Sequence, residues 1–337
     1  MSDTTDKAPR YELPLPWQSN VWSQLNSAWQ AQRMPHALVL HGVAGLGKGL
    51  LARWLAQAVL CEAPGTELKP CGQCASCKLH VAGSHPDLVV LEPEEDKQQI
   101  SVDQIRAANE RLAMTSSRNG YRVTLIEPAH QMTVAAANSL LKTLEEPGNR
   151  SLIILVTAQL SALLPTIRSR CQQMGIATPS LSDALAWLTQ QTEKPVSMEL
   201  LSFACGAPLR ALDYAQGRFE ALQQSMSPGM QAITEGNAEV TQIAHGWADD
   251  QLPDRLSWLD GWIASRIRRE ILRTADPVTR ESLQGAAQVL NISAMFQSLD
   301  RVRELKAQLR RTALQRELAL ETVLLMLQRA LSTRIQA

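Results

Sequence analysis

The chain has 337 residues, 45% of them hydrophobic, with 33 Lys plus Arg set against 33 Asp plus Glu. That length suits two or three domains, and the apolar fraction argues against wholesale disorder. Zero net charge counts against a protein that coats nucleic acid by itself, which would be basic, and no apolar run reaches the ~18 residues of a membrane helix.

The first ten residues are polar and lack the apolar segment of a secretory signal, so the expected compartment is the cytoplasm. Compact apolar runs at 37–41, 87–91, 121–126 and 152–157 predict strands, and the patterns at 49–60 and 133–144 predict helices. Strands alternating with helices imply a parallel sheet with helices on both faces. After about residue 178 the strand pattern stops. Helices are predicted at 180–191, 198–204, 208–215, 256–274, 279–290, 293–311 and 314–330, with breaks at Pro253, Pro277 and Asn291. The expected layout is an α/β domain over 1–178, a small helical domain over 179–217 and a larger all-α domain over 218–337.

The first strand runs into Gly42-Val-Ala-Gly45-Leu-Gly47-Lys48-Gly49, and a helix follows. This is the context of a P-loop, in which glycine amides and a helix N-terminus face phosphate oxygens and Lys48 reaches for the β- and γ-phosphates. Two groups needed for hydrolysis are altered. The position after the lysine, where a Ser or Thr hydroxyl would hold Mg²⁺, is Gly49. At the end of a later strand, where two adjacent acids are expected, the chain has Glu127 followed by Pro128. Phosphoryl transfer depends on metal placement and an oriented water, so both stations of this site are impaired. ATP or ADP binding without hydrolysis is the expectation.

Within the first domain, Cys61, Cys71, Cys74 and Cys77 follow the spacing C-x9-C-x2-C-x2-C. Four thiolates complete a tetrahedron and leave no open position, so structural Zn²⁺ is expected, with an iron–sulfur cluster as the alternative. Nearby His80 and His85 read as surface or turn residues, and Cys205 as a buried free thiol. His36, His41 and His245 have no recognisable catalytic setting, and no Ser/His/Asp order suggests a hydrolytic triad.

The P-loop, the Leu125-Ile-Glu127-Pro128-Ala-His130 stretch, the run from Asn138 to Pro147, the triplet Ser169-Arg170-Cys171 and the four-cysteine insertion occur together. In this combination the chain, over roughly residues 15–330, resembles the bacterial clamp-loader subunits of the AAA+ class, from the DNA polymerase III holoenzyme. The changes at Gly49 and Pro128 resemble its non-hydrolysing delta-prime branch rather than the gamma/tau motors. The resemblance implies a lid domain, then a collar domain, and a heteropentamer with gamma/tau and delta subunits that loads a sliding clamp onto primer-template DNA. It implies that Arg170 acts in trans as an arginine finger in a neighbour's ATP site, where the bland reading is a surface arginine capping a helix. It also matches Thr157 to a γ-phosphate sensor and Arg210 to a second sensor, though either could simply pack. Cys171 is read as a packing residue, and the zinc insertion agrees with the family.

Toward the C-terminus, Arg301, Arg303, Lys306, Arg310, Arg311 and Arg316 alternate with Glu304, Glu317 and Glu321, which predicts an ion-paired helix face more than a DNA contact. Trp247, Trp258 and Trp262 are expected in a core unless exposed at an interface. Two rival readings stay open: a working AAA+ ATPase, against which Gly49 and Pro128 stand, and a stand-alone zinc-bearing nucleic-acid-binding protein, against which the zero net charge stands.

Overall fold

The computed structural model describes residues 11–332 except 64, 95–96, 98, 115, 119, 194–195, 217–218, 276–290 and 309–315. The predicted helix at 279–290 and the residues Pro277, Arg310 and Arg311 therefore lie outside the described residues. The chain divides into two compact units, Met1–Pro179 and Ser180–Ala337.

The first unit is built on five parallel strands: β1 (Ala37–His41), β2 (Leu88–Leu91), β3 (Arg122–Ile126), β4 (Ser151–Thr157) and β5 (Gln172–Gly175). Their order is β2-β3-β4-β1-β5. Parallel neighbours need crossovers. These are supplied by α2 (Lys48–Leu60), α3 (Ala75–Val81), α4 (Val102–Ala113), α5 (Val134–Glu145) and α6 (Pro165–Arg168), while α1 (Ser19–Gln30) precedes the sheet. Strand periodicity sorts β1 residues onto two faces. Ala37 and Val39 join one cluster with Ile105, Ala108 and Leu112 of α4 and Leu140 and Leu144 of α5. Leu38 and Leu40 point the other way and are equally buried. Every residue of β4 is buried, as expected of a central strand with neighbours on both sides. β5 was not predicted, because Gln172-Gln-Met-Gly is polar and only Met174 of it is buried. It is an edge strand paired to β1 alone.

Helix α4 is not among the predicted helices either, although it carries a start signal. The Ser101 hydroxyl accepts from the Gln104 amide at 3.3 Å, and the Gln104 side chain accepts from the Ser101 amide at 2.9 Å. Such a capping box satisfies two helix-end donors, each cap being worth about 1 kcal/mol.

The described elements of the second unit are all helices: α7 (Leu181–Gln191), α8 (Met198–Phe203), α9 (Pro208–Gln216), α10 (Phe219–Glu235), α11 (Val240–Trp247), α12 (Leu252–Ala275), α13 (Ile292–Gln308) and α14 (Arg316–Ser332). Pro253 does not break a helix; it sits in the first turn of α12, where its missing N–H costs nothing. Asn291 does mark a start, its side chain accepting from the Ala294 amide at 3.0 Å. One core draws on α8 and α10 to α14. Trp247 and Trp258 belong to it, as the default for tryptophan predicts, and Trp258 Nε1 donates to Gln223 Oε1 at 3.0 Å. Phe203 fits edge-on against Phe219, with ring centroids 4.8 Å apart. It lies over Gly261, where a Cβ would come within 2.6 Å of its ring. Among the described residues no helix is long and apolar enough to cross a membrane.

Candidate functional site

The phosphate loop leaves the carboxyl end of β1, between β4 and β5. Crevices in open α/β sheets lie at such strand ends. Gly45 and Gly47 turn through left-handed φ values of 87° and 73°. Gly42 approaches the residue just after β5 so closely that a Cβ on it would lie 2.5 Å from the Ile176 carbonyl oxygen. The loop is braced from outside: Trp17 Nε1 donates to the Leu46 carbonyl at 3.0 Å, and Gln18 Nε2 donates to the Leu46 and Gly47 carbonyls at 2.9 and 3.0 Å. Lys48 is buried, and its Nζ donates to the Val43 carbonyl at 2.8 Å. Burial pulls the Lys48 ammonium down to about 8, while nearby Glu127 works in the opposite direction. The amine thus sits inside its own loop, on a carbonyl that an arriving phosphate could replace.

Glu127, at the end of β3, closes the other side. A Cβ on Gly49 would lie 2.5 Å from Glu127 Oε2 and nearer still to Oε1. The carboxylate fills the space that a side chain after the P-loop lysine would occupy. It is held there by Arg53, one turn further along α2, whose Nη1 donates to Oε2 at 2.9 Å and whose Nη2 reaches Glu92 Oε1 at 2.6 Å. Burial raises the Glu127 carboxyl above its usual range, against the opposing pull of Arg53. Thr157, at the end of β4, stands beside His41 in the sheet register. Its hydroxyl is occupied, lying 3.1 Å from His130 Nδ1 and accepting from the Gln159 amide at 3.0 Å. Burial, and then the charge of Lys48, lower the His130 pKa.

The four cysteines meet in a second site. Cys61 closes the end of α2, while Cys74 caps α3 and accepts from the Cys77 amide. All four sulfurs lie within 4.8 Å of one another. The Cys61–Cys74 and Cys71–Cys77 pairs are 3.9 and 4.0 Å apart. A tetrahedron of sulfurs at 2.3 Å from zinc has edges of about 3.8 Å, so the set fits a single ion. Amides of Gln73 and Cys74 draw the Cys71 thiol down to about 6, whereas burial pushes Cys61 and Cys77 up. His85 is buried rather than a surface residue. Its Nδ1 accepts from the Asp87 amide at 3.1 Å, so Nε2 carries the proton and donates to Ser76 Oγ at 2.6 Å, and Ser76 in turn donates to the Leu60 carbonyl at 2.6 Å. With both ring nitrogens engaged, His85 ties α3 to the end of α2 and is not a ligand.

Arg170 stands apart from both sites, just after α6. Its Nη2 pairs with Glu145 Oε1 at 2.6 Å and its Nη1 donates to the Thr166 carbonyl at 3.0 Å, leaving the group partly exposed. The adjacent Cys171 is buried, which lifts its thiol to about 11 and makes it a packing residue. Arg210 belongs to the second unit. Its Nη2 meets Asp260 Oδ2 at 3.1 Å and its Nε donates to the Tyr214 hydroxyl at 2.9 Å. Asp260 also receives Arg303 Nε at 2.8 Å. Arg301 and Arg316 pair with Glu304 and Asp250, so these members of the basic series are ion-paired.

Residues 17–180 match the family model described as DNA polymerase III, delta subunit, and residues 220–329 match that described as DNA polymerase III, delta subunit, C terminal. A Yersinia pestis protein named DNA polymerase III subunit delta' is 31% identical over 94% of this chain and 96% of its own length. A Pseudomonas aeruginosa protein of the same name is 38% identical over 76% of this chain and 78% of its own. The chain belongs to the DNA polymerase III delta' subunits. Bacillus subtilis subunit tau is 35% identical over 46% of this chain and 27% of its own length, so the likeness to tau is confined to part of each protein. As a delta' subunit the chain is part of the clamp loader. Its sheet and helices are those of an AAA+ α/β domain followed by helical domains.

Four contributors to the delta' site carried no motif. Arg53 and Glu92 stand near the loop only because the sheet brings the ends of β2 and β3 beside α2. Trp17 and Gln18 brace the loop from a segment with no phosphate-binding pattern.

Proposed function

We propose that this delta' subunit is a non-hydrolysing member of the clamp loader that lends Arg170 to a neighbour's ATP site. The observation that carries the reading is the Glu127 carboxylate, lodged against Gly49 and paired with Arg53. The chain offers no hydroxyl after Lys48, and the carboxylate that remains is already occupied. Pro128 brings no second acid to polarise water. The P-loop glycines and Lys48 are intact, which supports binding of ATP or ADP without turnover; Thr157 and Arg210 would act as sensors of bound nucleotide. For Arg210 this requires release from Asp260.

Arg170 is suited to donation. It is partly exposed and held by the exposed Glu145 carboxylate and the Thr166 carbonyl, so exchange of these contacts would present its guanidinium to charge developing on a neighbour's γ-phosphate. Residues 179–217 would form the lid and 218–337 the collar that packs with gamma/tau and delta in a heteropentamer. Through that assembly the subunit helps place the sliding clamp on primer-template DNA in the cytoplasm. Cys61, Cys71, Cys74 and Cys77 would hold structural Zn²⁺, which cross-links the end of α2 to α3. The motor reading loses support at Gly49 and Pro128. The stand-alone reading loses it in the pairing of the basic helix face.

Reconstitution tests this role. Mixed with the gamma/tau and delta subunits, the chain is expected to co-elute as one complex that loads clamp onto primed DNA only when the chain is present. Loading at full rate without it would overturn the proposal.

A further inference from the structure

The divalent cation that P-loop proteins place between the β- and γ-phosphates does not fit this site. Mg²⁺ demands near-octahedral oxygen ligands at about 2.0–2.1 Å, drawn from a hydroxyl, a carboxylate, phosphates and water. Gly49 supplies no oxygen, and the space beside it is filled by the Glu127 carboxylate. That carboxylate is engaged by Arg53 at 2.9 Å, and the same guanidinium holds Glu92 at 2.6 Å.

We propose that the phosphate loop takes a nucleoside di- or triphosphate without a divalent cation, the fixed guanidinium of Arg53 serving as the positive charge beside Gly49. The inference deepens the nucleotide-binding part of the proposed function and rests on it. The groups around the loop support it. Lys48 and the α2 N-terminus supply positive potential, and Lys48 can exchange the Val43 carbonyl for a phosphate oxygen. Glu127 and Glu92 would repel phosphate if left bare. Arg53 bridges both and Lys48 adds a second positive charge beside Glu127, so the two carboxylates are balanced by two protein cations rather than by an ion. An Arg fork suits this role because it engages two carboxylates at once and is never deprotonated.

The test is titration calorimetry of the full chain with ADP and with ATP, in excess EDTA and in MgCl₂. Affinities in the two buffers are expected to agree within about threefold, or to favour EDTA. Arg53→Gln keeps a polar side chain but removes its charge and its two-pronged reach, and is expected to weaken binding in EDTA by about tenfold. A thermal melt shows that the variant is folded. An affinity raised about tenfold or more by Mg²⁺, or an Arg53→Gln variant that binds in EDTA as well as the parent, overturns the proposal while leaving nucleotide binding intact. No heat from either nucleotide in either buffer overturns both.

Discussion

Replacing Arg170 with alanine is expected to slow ATP hydrolysis at the neighbouring site of the assembled loader by about 10³-fold, the lower range for an arginine supplied in trans. The change should leave this chain folded. The Arg170–Glu145 pair is partly solvent-exposed, and exposed pairs contribute about 1 kcal/mol or less. Arg170→Lys should not rescue the rate, since a single ammonium cannot reproduce the guanidinium fork. Single-turnover hydrolysis in the reconstituted complex, with melting curves of the free chain as control, measures both. An unchanged rate for Arg170→Ala would assign the arginine to packing on Glu145 and Thr166.

Loss of the metal is expected to have the second large effect, and it falls on stability. Cys77 is buried at the α3 start, and burial, with the neighbouring Cys74 and Cys61 sulfurs, pushes its thiol pKa up. A bound cation is what would favour four thiolates in so small a volume. Structural zinc sites contribute folding free energy outright. Chelation, or Cys77→Ser, should therefore lower the melting temperature of the first unit by roughly 10 °C or more. Metal analysis of freshly purified chain should find about one zinc per chain. A protein without zinc, or one whose melting ignores a strong chelator, would contradict the assignment.

Much of the α/β architecture was legible because its central strands are short, apolar and bounded. The runs at 37–41 and 152–157 could hardly serve elsewhere than in a buried sheet, and the glycines after His41 fix where α2 starts. β5 was not legible: an edge strand needs few apolar residues, and Gln172-Gln-Met-Gly has a single buried one. The cysteine cluster could be read from spacing alone, because short C-x2-C turns bring sulfurs together whatever surrounds them. His85 could not, since its place depends on α3 bringing Ser76 against its ring. Arg53 shows the same limit. An arginine one turn into a helix has no signature, and its partners Glu92 and Glu127 come from two different strand ends. Local chemistry was visible in the sequence, whereas chemistry assembled by the sheet was not.

We propose above all that this chain turns over no nucleotide of its own. Phosphate release by the purified chain with ATP and Mg²⁺, beside a Lys48→Ala control, tests it most directly. The two rates are predicted to be indistinguishable. Turnover at roughly 1 s⁻¹ or faster, within the ordinary range of enzymes and lost in Lys48→Ala, would contradict the account and make the chain a motor.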